Sequence, residues 1–218
     1  MTIFSPKNLV VLVAAGCSAL VTLLFLGQDP AAAAAKLVAS TAFVALAVRV
    51  DALGFGYGRF VFLGLVFSWF GDVLLIGKTP AFFLAGLSAF LLAHAAYIAA
   101  FIVKGINAKW AMSAAIPVAL LALVVSAWLT PHLSPTLVVP VRIYTALISL
   151  MVIAAFGTRG RGASMLIPAG ALLFFMSDLS VAGLRLVQTE FPTYVWGLPL
   201  YYAGQVCLAI SASQSRSH

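Results

Sequence analysis

A chain of 218 residues that is 64% hydrophobic and 8% charged, with 12 Lys and Arg against 5 Asp and Glu, cannot cover a soluble domain with polar surface; soluble domains carry about 25% charged residues. Lipid as the solvent favours an apolar exterior instead, in keeping with a mean hydropathy of +1.15. The net charge of +7 does not indicate nucleic acid, because the basic residues stand singly or in pairs between apolar runs, with no basic and aromatic cluster.

Hydropathy predicts eight membrane spans, each near the ~20 residues that cross ~30 Å of hydrocarbon. The first, 9–26, includes Ala14-Ala15-Gly16-Cys17, which looks like a lipoprotein cleavage site. The apolar run continues to Leu26, so an uncleaved span is expected. After Gln28-Asp29-Pro30 comes the second span, 34–49, mildly apolar at its start and holding Lys36. The turn Gly54-Phe55-Gly56-Tyr57-Gly58 leads into the third, 60–77, with Asp72. Lys78-Thr79-Pro80 separates it from the fourth, 81–103, which carries His94 and Tyr97. The fifth, 110–129, has no ionisable side chain and ends at Thr130-Pro131-His132. The sixth, 136–156, holds Arg142 and Tyr144, and a turn from Gly157 to Gly162 follows. The seventh, 163–186, contains Asp178; Glu190-Phe191-Pro192 then precede the eighth, 193–212. Cys17 and Cys207 both fall inside spans, which rules out a disulfide framework. The expectation is an all-α polytopic membrane bundle, a single transmembrane domain over 1–218.

Basic residues at the span ends set the orientation. Lys7, Arg49, Arg59, Lys104, Lys109, Arg159, Arg161 and Arg216 lie on one side, and only Lys36, Lys78 and Arg185 on the other. Both termini are therefore expected in the cytoplasm, with a bacterial inner membrane as the location.

A shift of 106 residues lays Gly64 to Gly77 over Gly170 to Gly183. The glycines coincide, as do Asp72 and Asp178 with the small residue before each, and Lys36 falls over Arg142. Two four-helix repeats, roughly 1–107 and 108–218, are expected, related by an axis along the membrane normal. His94 falls over Leu200 and so belongs to one half only.

Ionisable side chains within the bilayer cost roughly 2.5–3.5 kcal/mol or more, so each calls for a reason. At helical rise Asp72 lies ~20 Å from the basic side, Asp178 and Arg142 ~25 Å, and His94 ~15 Å. These depths are compatible with one shared polar chamber, to which Tyr97 and Tyr144 can supply hydrogen bonds. The structural alternative is that Lys36 and Arg142 only neutralise the aspartates as buried ion pairs, or that Lys36 snorkels. Asp72, Asp178 and His94 form a conceivable two-carboxylate, one-histidine metal set, but no HxxxH or HExxH spacing supports it, and His132 and His218 fall outside the core; no metal is expected. No nucleophile elbow, phosphate-binding glycine loop or dinucleotide fingerprint is present.

With these residues in view, the chain resembles the YhhN family of multispanning membrane proteins. The resemblance rests on Gly71-Asp72-Val73-Leu74, on His94-Ala-Ala-Tyr97 and on Arg142-Ile-Tyr144. It continues through Gly170 to Ser177-Asp178 and Tyr201-Tyr202-Ala-Gly-Gln205, in the right order over nearly the whole chain. One departure is that Lys36 precedes Leu37, where the family often has Lys-Pro. Membership implies a lysoplasmalogenase: hydrolysis of the vinyl ether bond of a lysoplasmalogen to a fatty aldehyde and a glycerophospho-ethanolamine or -choline, with no cofactor. That chemistry suits two carboxyls, one giving a proton and an ionised partner steadying the cation and activating water. Asp72 and Asp178 are the expected pair, with neither assigned as the acid, and His94 a relay or a holder of water. Arg142 with Lys36 is expected on the substrate phosphate, and Tyr97, Tyr144, Tyr201 and Gln205 complete the substrate-binding set. The partners are then the lysophospholipid substrate and membrane lipids, and oligomeric state stays open. The alternative is a proton-coupled transporter or lipid carrier built from parallel repeats.

Overall fold

A computed structural model describes residues 5–54 and 56–213. Arg216 and His218, used above for orientation and for the metal question, lie outside the described residues, as does Phe55 of the glycine-rich turn. Among the described residues eight α-helices follow one another: α1 Pro6–Phe25, α2 Asp29–Arg49, α3 Gly56–Leu74, α4 Pro80–Lys104, α5 Ala108–Leu129, α6 Pro135–Gly157, α7 Leu166–Ala182 and α8 Tyr194–Ser211. Among the described residues there is no strand.

The loop residues write the helix starts. Thr79 accepts a hydrogen bond from the Phe82 amide ahead of Pro80, and Asn107 accepts from the Lys109 and Trp110 amides. Both are N-cap residues satisfying amides that the first turn leaves without partners. Asp29-Pro30 opens α2 at residue 29 rather than 34, since Pro suits the first helical turn and Asp the positive end of the dipole. α3 stops at Leu74 rather than 77, where the backbone tightens into Ile76-to-Val73 and Gly77-to-Leu74 turns. α7 gives way to a single π turn, Gly183–Val187, closed by Gln188 at φ 58°.

Seven of the eight helices are long and apolar enough to cross a membrane. α8 falls short of that measure and carries Tyr201, Tyr202 and Gln205, all buried. Its polar residues are covered by α1, α2, α3 and α7, which pack around it. The large apolar side chains Ile116, Leu120 and Leu123 of α5 are exposed and face the lipid.

Consecutive helices pair as the hairpins α1/α2, α3/α4, α5/α6 and α7/α8. Between them α2 packs on α3 and α8, while α6 packs on α7 and α4. Two close approaches position the aspartates. At Gly71 a Cβ would stand 2.6 Å from the Phe90 ring of α4, and at Gly170 it would stand 3.0 Å from the Gly204 carbonyl oxygen of α8. Hydrogen at these two positions lets each hairpin close, which fixes Asp72 and Asp178 on the inner faces of α3 and α7.

Candidate active site

Asp72 and Asp178 line one cavity of about 560 Å³. It reaches from the aspartates to the end of the bundle where α1 joins α2, α3 joins α4 and α7 joins α8; there Asp29, Lys78, Arg185 and Tyr194 form its rim. Its deeper walls are apolar, with Leu20, Leu75, Leu87, Phe90, Ile148 and Phe175 among them.

The two carboxyls have unlike surroundings. Asp72 Oδ1 lies 3.2 Å from Lys36 Nζ, while its Oδ2 accepts hydrogen bonds from Ser40 Oγ at 2.6 Å and the Tyr201 hydroxyl at 2.7 Å. Lys36 and Ser40 are one turn apart on α2, so a single helix face presents both donors. Since Ser40 gives its proton to Asp72, the Tyr202 hydroxyl, 3.1 Å away, donates to Ser40. A cation and two hydroxyls therefore converge on this carboxylate, and Asp72 is 2% exposed.

Asp178 accepts from the Tyr144 hydroxyl at 2.7 Å and has no Lys or Arg partner among the described residues. His94 Nε2 stands 3.8 Å from its Oδ2. The His94 ring is wholly buried, wedged between Tyr144 and Phe174 at centroid distances of 5.1 and 4.7 Å. Neither of its nitrogens has a hydrogen-bond partner among the described residues. A buried polar atom without a partner is costly, so a histidine at this position calls for a reason.

The expected residues thus separate by position. Asp72, Asp178, Lys36, Tyr144 and Tyr201 line the cavity, and His94 sits directly behind Asp178. Tyr97 and Gln205 lie in a buried layer beneath: the Tyr97 hydroxyl donates to Gln205 Oε1 at 2.7 Å, and Gln205 Nε2 donates to Ser68 Oγ at 3.1 Å. They brace α4, α8 and α3 against one another and do not line the cavity. Arg142 is exposed on α6 and forms no part of the cavity wall. Tyr144, two residues on, takes the inward face, and positions two apart point to opposite sides of a helix. The pairing of Arg142 with an aspartate is therefore not made. Among the described residues no three His, Cys, Asp or Glu side chains gather in a metal-binding group. Ser40 and Ser68 join the site beyond the residues expected from the sequence, although each stands one turn from a polar residue: Ser40 from Lys36, Ser68 from Asp72.

Comparison with known proteins places this arrangement in context. The lysoplasmalogenase TMEM86A of Bos taurus is 33% identical over 165 residues, 72% of this chain and 66% of that protein. TMEM86A of Homo sapiens is 34% identical over the same shares. The lysoplasmalogenase TMEM86B of Sus scrofa is 30% identical over 198 residues, 88% of this chain and 81% of that protein. The match thus spans just under two thirds of the length of the TMEM86A proteins. No solved structure matches the chain. The model of the YhhN family matches residues 31–212, which take in α3 to α8, α2 apart from its first two residues, and the cavity lining from Ala32 onward, Asp72 and Asp178 included. This membrane-spanning bundle, with its paired aspartates, belongs to the YhhN family.

Proposed function

We propose that the protein is an intramembrane hydrolase of lysoplasmalogen, the activity named for its relatives, and that Asp178 and Asp72 divide the acid and base work. The observation that carries this reading is that two carboxyls with opposite environments face the same apolar-walled cavity. Three donors, one of them cationic, converge on Asp72, whereas Asp178 has one hydroxyl donor and no Lys or Arg partner among the described residues.

Vinyl ether hydrolysis needs that asymmetry. Asp178 gives its proton to the β-carbon of the double bond, leaving an oxocarbenium ion with its charge shared between carbon and the ether oxygen. Asp72 steadies the cation, as one carboxylate does around the related cation in glycosidases. Water adds to the carbon bearing the oxygen and returns a proton to Asp178. The hemiacetal then collapses to a fatty aldehyde and glycerophospho-ethanolamine or -choline, whose glycerol oxygen leaves as the free hydroxyl, so one water is consumed and both carboxyls end as they began. His94, with Nε2 3.8 Å from Asp178 Oδ2, relays protons to that carboxyl or orients the water beside it. A cavity of about 560 Å³ lies within the usual range for one small-molecule ligand, and its walls suit a single hydrocarbon tail.

The test uses purified protein in detergent with lysoplasmalogen and its saturated alkyl-ether analogue. Aldehyde is expected from the first alone. In D₂O the aldehyde carries one deuterium at the carbon next to the carbonyl, where the acid delivered it. No aldehyde from any vinyl-ether lipid, together with proton-coupled lipid uptake in vesicles, would replace the hydrolase with a transporter.

A further inference from the structure

Three basic side chains line the cavity: Lys36, Lys78 and Arg185. Lys36 is engaged with Asp72 in the interior. Lys78 pairs with Asp29 at the rim, both well exposed. Arg185 has no carboxylate partner among the described residues, so it is the rim cation left without a counter-charge. The local backbone explains its placement. The π turn Gly183–Val187 ends α7 at the rim, and Leu184, Arg185 and Leu186 all contribute to the cavity wall. Isolated π turns of this kind are rare and concentrate at functional sites.

Spacing adds a second observation. Arg185 is seven residues beyond Asp178 and Lys78 six beyond Asp72. Arg185 lies in the π turn after α7 and Lys78 in the turn after α3, so each cation stands nearer the rim than the preceding aspartate, on the order of 10 Å at helical rise. In a lysophospholipid five bonds separate the ether oxygen from phosphorus, roughly 6 Å when extended. A lipid whose ether oxygen lies between the aspartates therefore brings its phosphate within reach of a side chain at the rim. Charge matches as well: Asp29 offsets Lys78, leaving one net positive charge for one phosphodiester.

We propose that Arg185, with the Lys78–Asp29 pair on the facing rim, binds the headgroup phosphate of the lysophospholipid. The assignment rests on the hydrolase reading and moves the phosphate from Arg142, which faces outward on α6, to the cavity mouth. A guanidinium suits the task because its planar fork grips two phosphate oxygens at once.

Binding of analogues that are not cleaved tests this separately from turnover. Titration calorimetry in detergent would compare 1-O-hexadecyl-glycero-3-phosphoethanolamine with 1-O-hexadecylglycerol, which has the tail and no phosphate. Arg185→Gln is expected to weaken the phosphate lipid about 10- to 100-fold, as for loss of charge-assisted hydrogen bonds, and the tail-only lipid less than threefold. Arg185→Lys should fall between Arg185→Gln and the native protein for the first lipid. Equal weakening of both lipids, or of neither, would overturn the proposal. So would a larger loss of the phosphate lipid in Arg142→Gln than in Arg185→Gln. Displacement of the bound lipid by glycerol 3-phosphate at comparable concentration would reassign the mouth to a soluble phosphate ester. Failure of the vinyl ether assay alone would remove the hydrolase and leave the phosphate site standing.

Discussion

Replacing either aspartate with asparagine removes one negative charge, but the consequences differ because only one of them is paired. In Asp72→Asn the Lys36 ammonium faces a neutral amide, and stranding one member of a buried pair costs about 3–5 kcal/mol. Thermal unfolding in detergent should shift down sharply, and aldehyde release should fall with it. Adding Lys36→Met should recover most of the stability and none of the turnover. Asp178→Asn strands no cation, so its unfolding should stay near that of the native protein, while loss of a general acid lowers kcat roughly 10²- to 10⁴-fold. The reverse pattern, with Asp178→Asn unfolding and Asp72→Asn active, would undo the division of labour. Much at this scale was legible, because an acid inside an apolar segment needs partners and helical spacing says where to look. Tyr201 and Gln205 are one turn apart, as are Lys36 and Ser40. Arg142 faces away from the cavity that Tyr144 lines, because two residues apart they cannot share a face. The neighbours of each aspartate were not legible, since which helices meet is decided by the whole packing pattern.

The hairpins carry the geometry. Gly71→Ala would drive a methyl group to 2.6 Å from the Phe90 ring, beside the aspartate. Overpacking of that kind costs typically 1–3 kcal/mol, so a lower unfolding temperature and weaker turnover are expected together; a variant with native stability and rate would show that α3 and α4 have room to spare. We infer that the two halves are duplicated. The contacts of α2 on α3 and α8 have their counterparts in those of α6 on α7 and α4. Asp72 of α3 meets Tyr201 of α8, and Asp178 of α7 meets His94 of α4. Each aspartate is thus approached from the second helix of the opposite hairpin, as a two-fold axis along the bundle requires. Element existence was plain in the sequence because hydropathy is local. The early start of α2 followed from Asp29-Pro30, whereas the π turn after Ala182 had no sequence mark and reflects how α7 seats against its neighbours.

At the scale of the molecule, the cavity mouth lies at the bundle end away from most of the basic residues. We propose that both termini are cytoplasmic, so that it opens to the outer face. In a Cys17→Ala, Cys207→Ala background, Lys78→Cys should react with an impermeant maleimide added to intact cells, and Lys109→Cys only after permeabilisation. The opposite labelling would turn the bundle over and bring substrate from the inner leaflet. α8 has a further implication, for biogenesis. Of the eight helices it is the one that does not reach the hydropathy of a self-sufficient span, and it is translated after the other seven. Its entry into the bilayer must be carried by its hairpin with α7, and only then does Tyr201 reach Asp72. A nascent chain therefore holds both acids in the membrane before the Tyr201 hydroxyl reaches Asp72, and the polar cluster around that carboxylate is completed only once α8 is in place.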